Sequence, residues 1–89
     1  MKRFIQSTRF KRDYKRVLKR GLNPQKLEAV LRLLSNDLAL PERCRPHKLS
    51  GNYQGFWECH IEPDWLLIYD ITAEFVELAA TGSHSDLFD

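Results

Sequence analysis

The stretch Phe56–Ile71, FWECHIEPDWLLIYDI, decides the fold. Over Phe56 to Ile61 the side chains alternate in character, with Phe56, Glu58 and His60 on one parity and Trp57, Cys59 and Ile61 on the other, which is the pattern of a half-buried strand. Glu62-Pro63-Asp64 is a turn, and Trp65 to Ile71 is a mostly apolar run of strand type. The tryptophan-bearing parity predicts the core side, which aims Phe56, Glu58 and His60 out of the opposite face toward a ligand. Downstream, Ala73-Glu74 leads into a third strand at Phe75 to Ala79. Thr81-Gly82-Ser83 then breaks it, leaving a short tail to Asp89.

Upstream the period changes to that of helices. Residues 2–6 (KRFIQ) read as a short strand with Phe4 inward, and Ser7 and Thr8 offer helix N-caps. Phe10, Tyr14, Val17 and Leu18 then form one apolar stripe on a basic helix that Gly21 ends. Asn23-Pro24 restarts a helix, with Asn as cap and Pro at the first position, where its missing N–H costs nothing. That second helix runs to about Asp37 with Leu27, Val30, Leu31 and Leu34 buried, and the short connection predicts a helical hairpin. Leu40 to Pro46 is loop-like. The layout is α+β: an N-terminal strand, a two-helix hairpin packed on one face of an antiparallel sheet, and a short C-terminal tail or helix.

Eighty-nine residues make a single domain, 1–89. No apolar run approaches the roughly 20 residues that span a bilayer, and Met-Lys-Arg-Phe does not open a secretory signal, so the expected compartment is the cytoplasm. Cys44 and Cys59 fit neither a disulfide framework nor a zinc-thiolate pattern and read as free thiols.

The formal net charge of +2 conceals a segregation. Residues 1–50 hold all 14 Lys and Arg with 4 acids, while residues 51–89 hold 8 acids and no Lys or Arg. A basic block of this kind suits a phosphate-binding face, a docking face for an acidic protein, or a solvated helix surface.

Three histidines, His47, His60 and His84, each lie beside a turn signal. With Asp64 they form a set suited to acid–base work near neutral pH. Their spacing lacks the close pair typical of zinc ligands, so no metal and no other cofactor is expected. A nucleophile elbow of the GxSxG kind is likewise missing.

The segments PHKLSG (Pro46–Gly51), ECHIEPDWLLIY (Glu58–Tyr69) and TGSHSDLF (Thr81–Phe88), together with the basic hairpin, closely resemble the YafQ branch of RelE-type toxins across essentially the whole chain. The resemblance implies a ribosome-dependent mRNA endoribonuclease of a type II toxin–antitoxin system. Its catalytic residues would be His84, His60, Asp64 and His47, with His84 as acid, His60 with Asp64 at the nucleophile, and His47 at the phosphate. Trp65 or Phe88 would meet a base, although Trp65 equally reads as core. Lys11, Arg12, Lys15, Arg16, Lys19 and Arg20 would bind substrate. Glu58 is a weaker candidate, equally readable as a solvated strand carboxylate.

The implied partners are an acidic antitoxin of the DinJ or RelB kind, the 70S ribosome with mRNA in its A site, and operator DNA only through the antitoxin, with no membrane. A ParE-like toxin without nuclease activity and a plain RNA-binding module are the alternatives. The sequence departs from the family in one place. An arginine usually precedes the TGxH segment, where Ala80 stands here, and the resemblance therefore implies weakened activity from either a natural or an introduced change. Counting by twos groups position 80 with the core residues Val76 and Leu78, so the strand must end or bulge nearby for the family's arginine to face the site.

Overall fold

The computed structural model describes residues 1–88. Its elements are β1 (Arg3–Gln6), α1 (Thr8–Lys19), α2 (Pro24–Ser35), β2 (His47–Lys48), β3 (Trp57–Glu62), β4 (Trp65–Ile71), β5 (Phe75–Gly82) and α3 (His84–Phe88). They form one five-stranded sheet in the order β1-β5-β4-β3-β2. All neighbours are antiparallel except β1, which runs parallel to β5. The end of the expected tail is helical to Phe88, and Asp89 lies outside the described residues.

The helix boundaries follow local chemistry. The Ser7 hydroxyl accepts from the Phe10 amide and Asn23 Oδ1 from the Gln25 amide, each satisfying one of the amides that an α-helix start leaves unpaired. Phe10 and Val17 from α1 and Leu27, Val30 and Leu34 from α2 pack with Cys59, Leu67, Tyr69, Val76 and Leu78 into the main core. Leu18, expected in the stripe, is 41% exposed. The inner face of α1 turns instead through Asp13, a carboxylate invisible to a hydrophobic pattern and 4% exposed. Phe4 also departs from expectation at 40% exposed, because β1 is an edge strand on which no side chain is fully covered.

The opposite sheet face carries a second, smaller core of Leu66, Ile68, Ala80 and Leu87, flanked by Leu49, Tyr53, Phe56 and Ala79. The face expected to be open is thus partly roofed by α3 and by the segment around Tyr53. Its parity is as expected on β3. On β5 it depends on a bulge: Ile68 pairs with Ala80 but Tyr69 with Leu78, leaving Ala79 as the extra residue. The bulge turns position 80 away from Val76 and Leu78 and onto the second face. It also lets β5 continue three residues past Ala79, where sequence punctuation alone predicts a stop.

β1 ends at Gln6, opposite Leu78, so the next edge groups of β5 lose their strand neighbour. Ser7 donates its hydroxyl to the Ala79 carbonyl (2.7 Å), and Asp13 Oδ2 accepts from the Thr81 amide (3.1 Å). Thr81 in turn accepts from Trp65 Nε1 (2.9 Å) and donates to the Leu66 carbonyl (2.6 Å). Arg16 and Arg9 flank the Asp13 carboxylate.

Asp13→Ala would leave the buried Thr81 amide without an acceptor, a defect that costs about 1–3 kcal/mol. Urea unfolding should show that loss, with Asp13→Asn losing less because its amide oxygen still accepts. A change under about 0.5 kcal/mol for the alanine variant, the range of ordinary surface substitutions, would show that the column is dispensable.

Candidate active site

The second sheet face presents two cross-strand rows. Ala80, Ile68, Glu58 and His47 face one another across β5, β4, β3 and β2, while Gly82, Leu66 and His60 form the adjacent row. Residues two apart along a strand lie about 7 Å apart. The imidazoles of His47 and His60 therefore come to one end of the face without any sequence proximity.

His84 is brought in from the chain after β5. Its amide donates to Asp64 Oδ1 (2.9 Å), and its Nδ1 meets the same oxygen at 2.6 Å. Asp64 sits in the β3–β4 turn that Pro63 helps to form, so the turn fixes the carboxylate and the carboxylate fixes the ring. With Nδ1 directed at Asp64, Nε2 is the nitrogen left for a substrate. These two bonds, the backbone one first, hold the Asp64 carboxyl below its ordinary range. The His60 ring lies 5.8 Å from that of His84, centroid to centroid. Asp64 thus serves His84 and not His60, against the pairing expected from sequence.

His47 is held by two acceptors. Nδ1–H donates to the Arg45 carbonyl (2.9 Å), and Nε2 lies 3.3 Å from Glu58 Oε1. Glu58 is 5% exposed, so it is no solvated strand carboxylate, and its Oε2 has no partner among the described residues. His60 Nδ1 is a second buried atom without a partner on this face. Such orphans are rare away from functional sites because each forgoes hydration without gaining a bond.

The segment bearing His84 is itself clamped. Arg20 reaches both oxygens of Asp86, whose Oδ2 also accepts from the Ser83 amide (2.9 Å). The guanidinium is the main cause holding the Asp86 carboxyl far below its ordinary range. Arg9 adds bonds to the Tyr53 hydroxyl (2.6 Å) and the Asp86 carbonyl (3.2 Å). Gly82 is required here: its φ is +153°, and a Cβ would stand 2.8 Å from Asp86 Oδ2.

The remaining candidates divide. Phe88 is 48% exposed and meets Tyr53 edge-on, which leaves it able to receive a base. Trp65 is 1% exposed with its N–H taken by Thr81, so it has no face to offer a base and belongs to the core. Of the six helix cations, Arg16 and Arg20 are engaged by Asp13 and Asp86. Lys11, Arg12, Lys15 and Lys19 are exposed and without ion-pair partners among the described residues. Ala80 is wholly buried between Ile68 and Leu87, so an arginine there would have to cross Ile68 toward Glu58. Among the described residues no group of three or more His, Cys, Asp or Glu is arranged to hold a metal ion. Both cysteines are free and buried. Burial pushes the Cys59 thiol far up.

Fold and histidine face together are those of a small bacterial toxin from a type II toxin–antitoxin system. The model of the bacterial toxin family "type II toxin-antitoxin system, YafQ" matches residues 2–89, and the chain belongs to that family. The mRNA interferase toxin YafQ of Escherichia coli K12 is 37% identical over 83 residues, 92% of this chain and 90% of that protein. The crystal structure of YafQ from E. coli BL21(DE3) superposes with a TM-score of 0.92 at 33% identity, covering 100% of both chains. YafQ in the E. coli DinJ–YafQ complex gives 0.90 at 35% identity, covering 99% of this chain and 98% of that one.

Asp86 and Asp64 carry lowered values in the folded state, so each adds stability that is complete above about pH 4 and drains away as pH falls through the lowered value. Asp86→Asn should therefore be less stable than the parent at neutral pH, by about 1 kcal/mol for an ion pair whose arginine is about half exposed. The two melting curves should converge on acidification. A gap that persists unchanged to about pH 2, below the ordinary carboxylate range, would remove the ion pair as its cause.

Proposed function

We propose that this chain is a ribosome-dependent mRNA endoribonuclease that cleaves through the ribose 2′-hydroxyl with no step routed through a metal. The observation that carries the reading is the His84–Asp64 pair facing His60 across 5.8 Å, two imidazoles on one open end of a face with one ring locked by a carboxylate. A base takes the 2′-hydroxyl proton as its oxygen attacks the adjacent phosphorus. The P–O5′ bond breaks, and an acid returns a proton to the departing oxygen. His84, presenting Nε2, is the acid. His60, whose Nδ1 is buried, serves the nucleophile through its other nitrogen. His47, steadied by Glu58 and the Arg45 carbonyl, stands at the phosphate, and Phe88 receives a neighbouring base.

The exposed cations of α1 supply the sequence-independent attraction to ribosomal and messenger phosphate. They also complement an acidic antitoxin, as YafQ of E. coli is complexed with DinJ. Access to operator DNA runs through that antitoxin, and the expected compartment is the cytoplasm. A gyrase-binding toxin of the ParE kind would have no use for the locked imidazole, and its action would survive the loss of His84.

Ala80→Arg should raise ribosome-dependent cleavage roughly tenfold or more by adding a charge donor to the cross-strand row that carries Glu58 and His47, since one such donor is commonly worth 10²–10³ in rate. In that background His84→Ala should abolish cleavage while leaving 70S binding intact. Primer extension on programmed ribosomes reads both. Cleavage of equal rate without ribosomes, or a His84→Ala chain that still cuts, would overturn the reading.

A further inference from the structure

The sequence places no Lys or Arg beyond Lys48, so β3, β4, β5 and α3 bring no such cation of their own to the site face. The fold supplies cations from elsewhere. A cavity of about 420 Å³ is lined by Lys26, Arg43, Arg45, His60, Ile61, Glu62 and Pro63. It exists because β2 pairs only with Trp57 and Glu58, so the His60–Glu62 end of β3 has no strand on its outer edge and the turn at Glu42–Cys44 packs against β3 instead. The cavity adjoins a second of about 360 Å³ through Lys26, Arg43 and Ile61.

Within it the charges are unbalanced. Glu62, its only acid, is taken by Lys26 at 3.1 Å. Arg43 and Arg45 have no ion-pair or hydrogen-bond partner for their side chains among the described residues, and both line the cavity together with its one imidazole, His60. Arg45 also holds a left-handed backbone (φ 47°), a conformation disfavoured for a residue with a Cβ, and its carbonyl is the acceptor that orients His47. Through that carbonyl the cavity is linked to the histidine face. Two unpaired guanidiniums in a cavity shared with His60 are a donor set suited to phosphate oxygens, which guanidiniums meet as planar forks.

We propose that Arg43 and Arg45 form a phosphate subsite for single-stranded RNA, holding the phosphodiester next to the scissile one and delivering the substrate to His60. The subsite rests on the cleavage reading above for its purpose but not for its existence. It binds a neighbouring phosphate in the ground state, so it sets KM and leaves the charge missing at position 80 unreplaced. Sequence reasoning passed over both arginines because they lie in a loop outside the helix block, and only the fold sets them beside His60.

The test uses the full chain and a 2′-O-methyl RNA hexanucleotide, which cannot be cut because it has no free 2′-hydroxyl. Affinity is measured across salt concentrations for the parent and for Arg43→Gln/Arg45→Gln, both exposed positions whose replacement leaves the core untouched. The slope of log K against log salt should shrink by about 1.4, two contacts at ~0.7 each. The His60 ring-proton resonances should move on RNA addition in the parent and stay still in the variant. On programmed ribosomes KM should rise severalfold with kcat nearly unchanged. An unchanged slope together with an unmoved His60 in the parent overturns the subsite. So does a variant that keeps its RNA affinity and loses affinity only for an acidic peptide. If the pocket binds RNA as described but neither chain cuts messages on ribosomes even with Ala80→Arg added, the subsite stands and the cleavage reading falls.

Discussion

β1 stops at Gln6, and the fold has to satisfy the two edge groups of β5 that this leaves behind. Ser7 takes the Ala79 carbonyl and Asp13 takes the Thr81 amide, so the start of α1 stands in for two more residues of strand. The same stretch of β5 carries the bulge at Ala79, which needs its backbone groups bonded on the outer side if the strand is to continue. Everything at the site follows from that continuation. Position 80 turns to the second face, Gly82 closes against Asp86, and His84 emerges where the Asp64 turn can reach it. A polar column from Asp13 through Thr81 to Trp65 is unusual ballast for a small core. Its members are all bonded, which is the condition under which buried polar groups fix one arrangement instead of costing stability.

The basic and acidic halves of the chain are folded onto one another. Arg20 meets Asp86 and Lys26 meets Glu62, each joining a helix-borne cation from the first half to an acid of the second. The block of positive charge that reads as one nucleic-acid face in sequence is therefore two populations. Arg9 and Arg20 hold the site segment in place and Arg16 is taken by Asp13, while Lys11, Arg12, Lys15 and Lys19 stay exposed without ion-pair partners among the described residues. The clamp on α3 and the electrostatic reach of α1 come from one helix, whose two faces do different work.

Much of the architecture was legible in the sequence because it rests on periodicity and punctuation. Trp65–Ile71 is a strand as read, Asn23-Pro24 opens α2, and the parity of β3 separates core from site. That β5 must end or bulge near Ala80 was also legible, given the arginine the resemblance implies there and the apolar count by twos, but only the structure shows which: it bulges at Ala79 and runs on. What escaped reading was whatever depends on contacts between distant segments. Asp13 and Glu58 look like surface acids until a backbone amide and a histidine are placed against them. Trp65 could not be assigned between base and core until Thr81 was found at its N–H. Asp64 was matched to the nearer histidine in sequence, His60, when the β4–β5 register brings the farther one, His84, to it. Arg43 and Arg45 carry no pattern at all.

The central claim is that the histidine face performs a transfer from the ribose 2′-oxygen, and the ends of the cut message record it directly. Mass spectrometry of RNA fragments released from programmed ribosomes by the Ala80→Arg chain should find a 2′,3′-cyclic phosphate, or the 3′-phosphate from its opening, on the upstream piece and a free 5′-hydroxyl on the downstream piece. Upstream 3′-hydroxyl and downstream 5′-phosphate ends would mean that water and not the 2′-oxygen attacked, and would contradict the account.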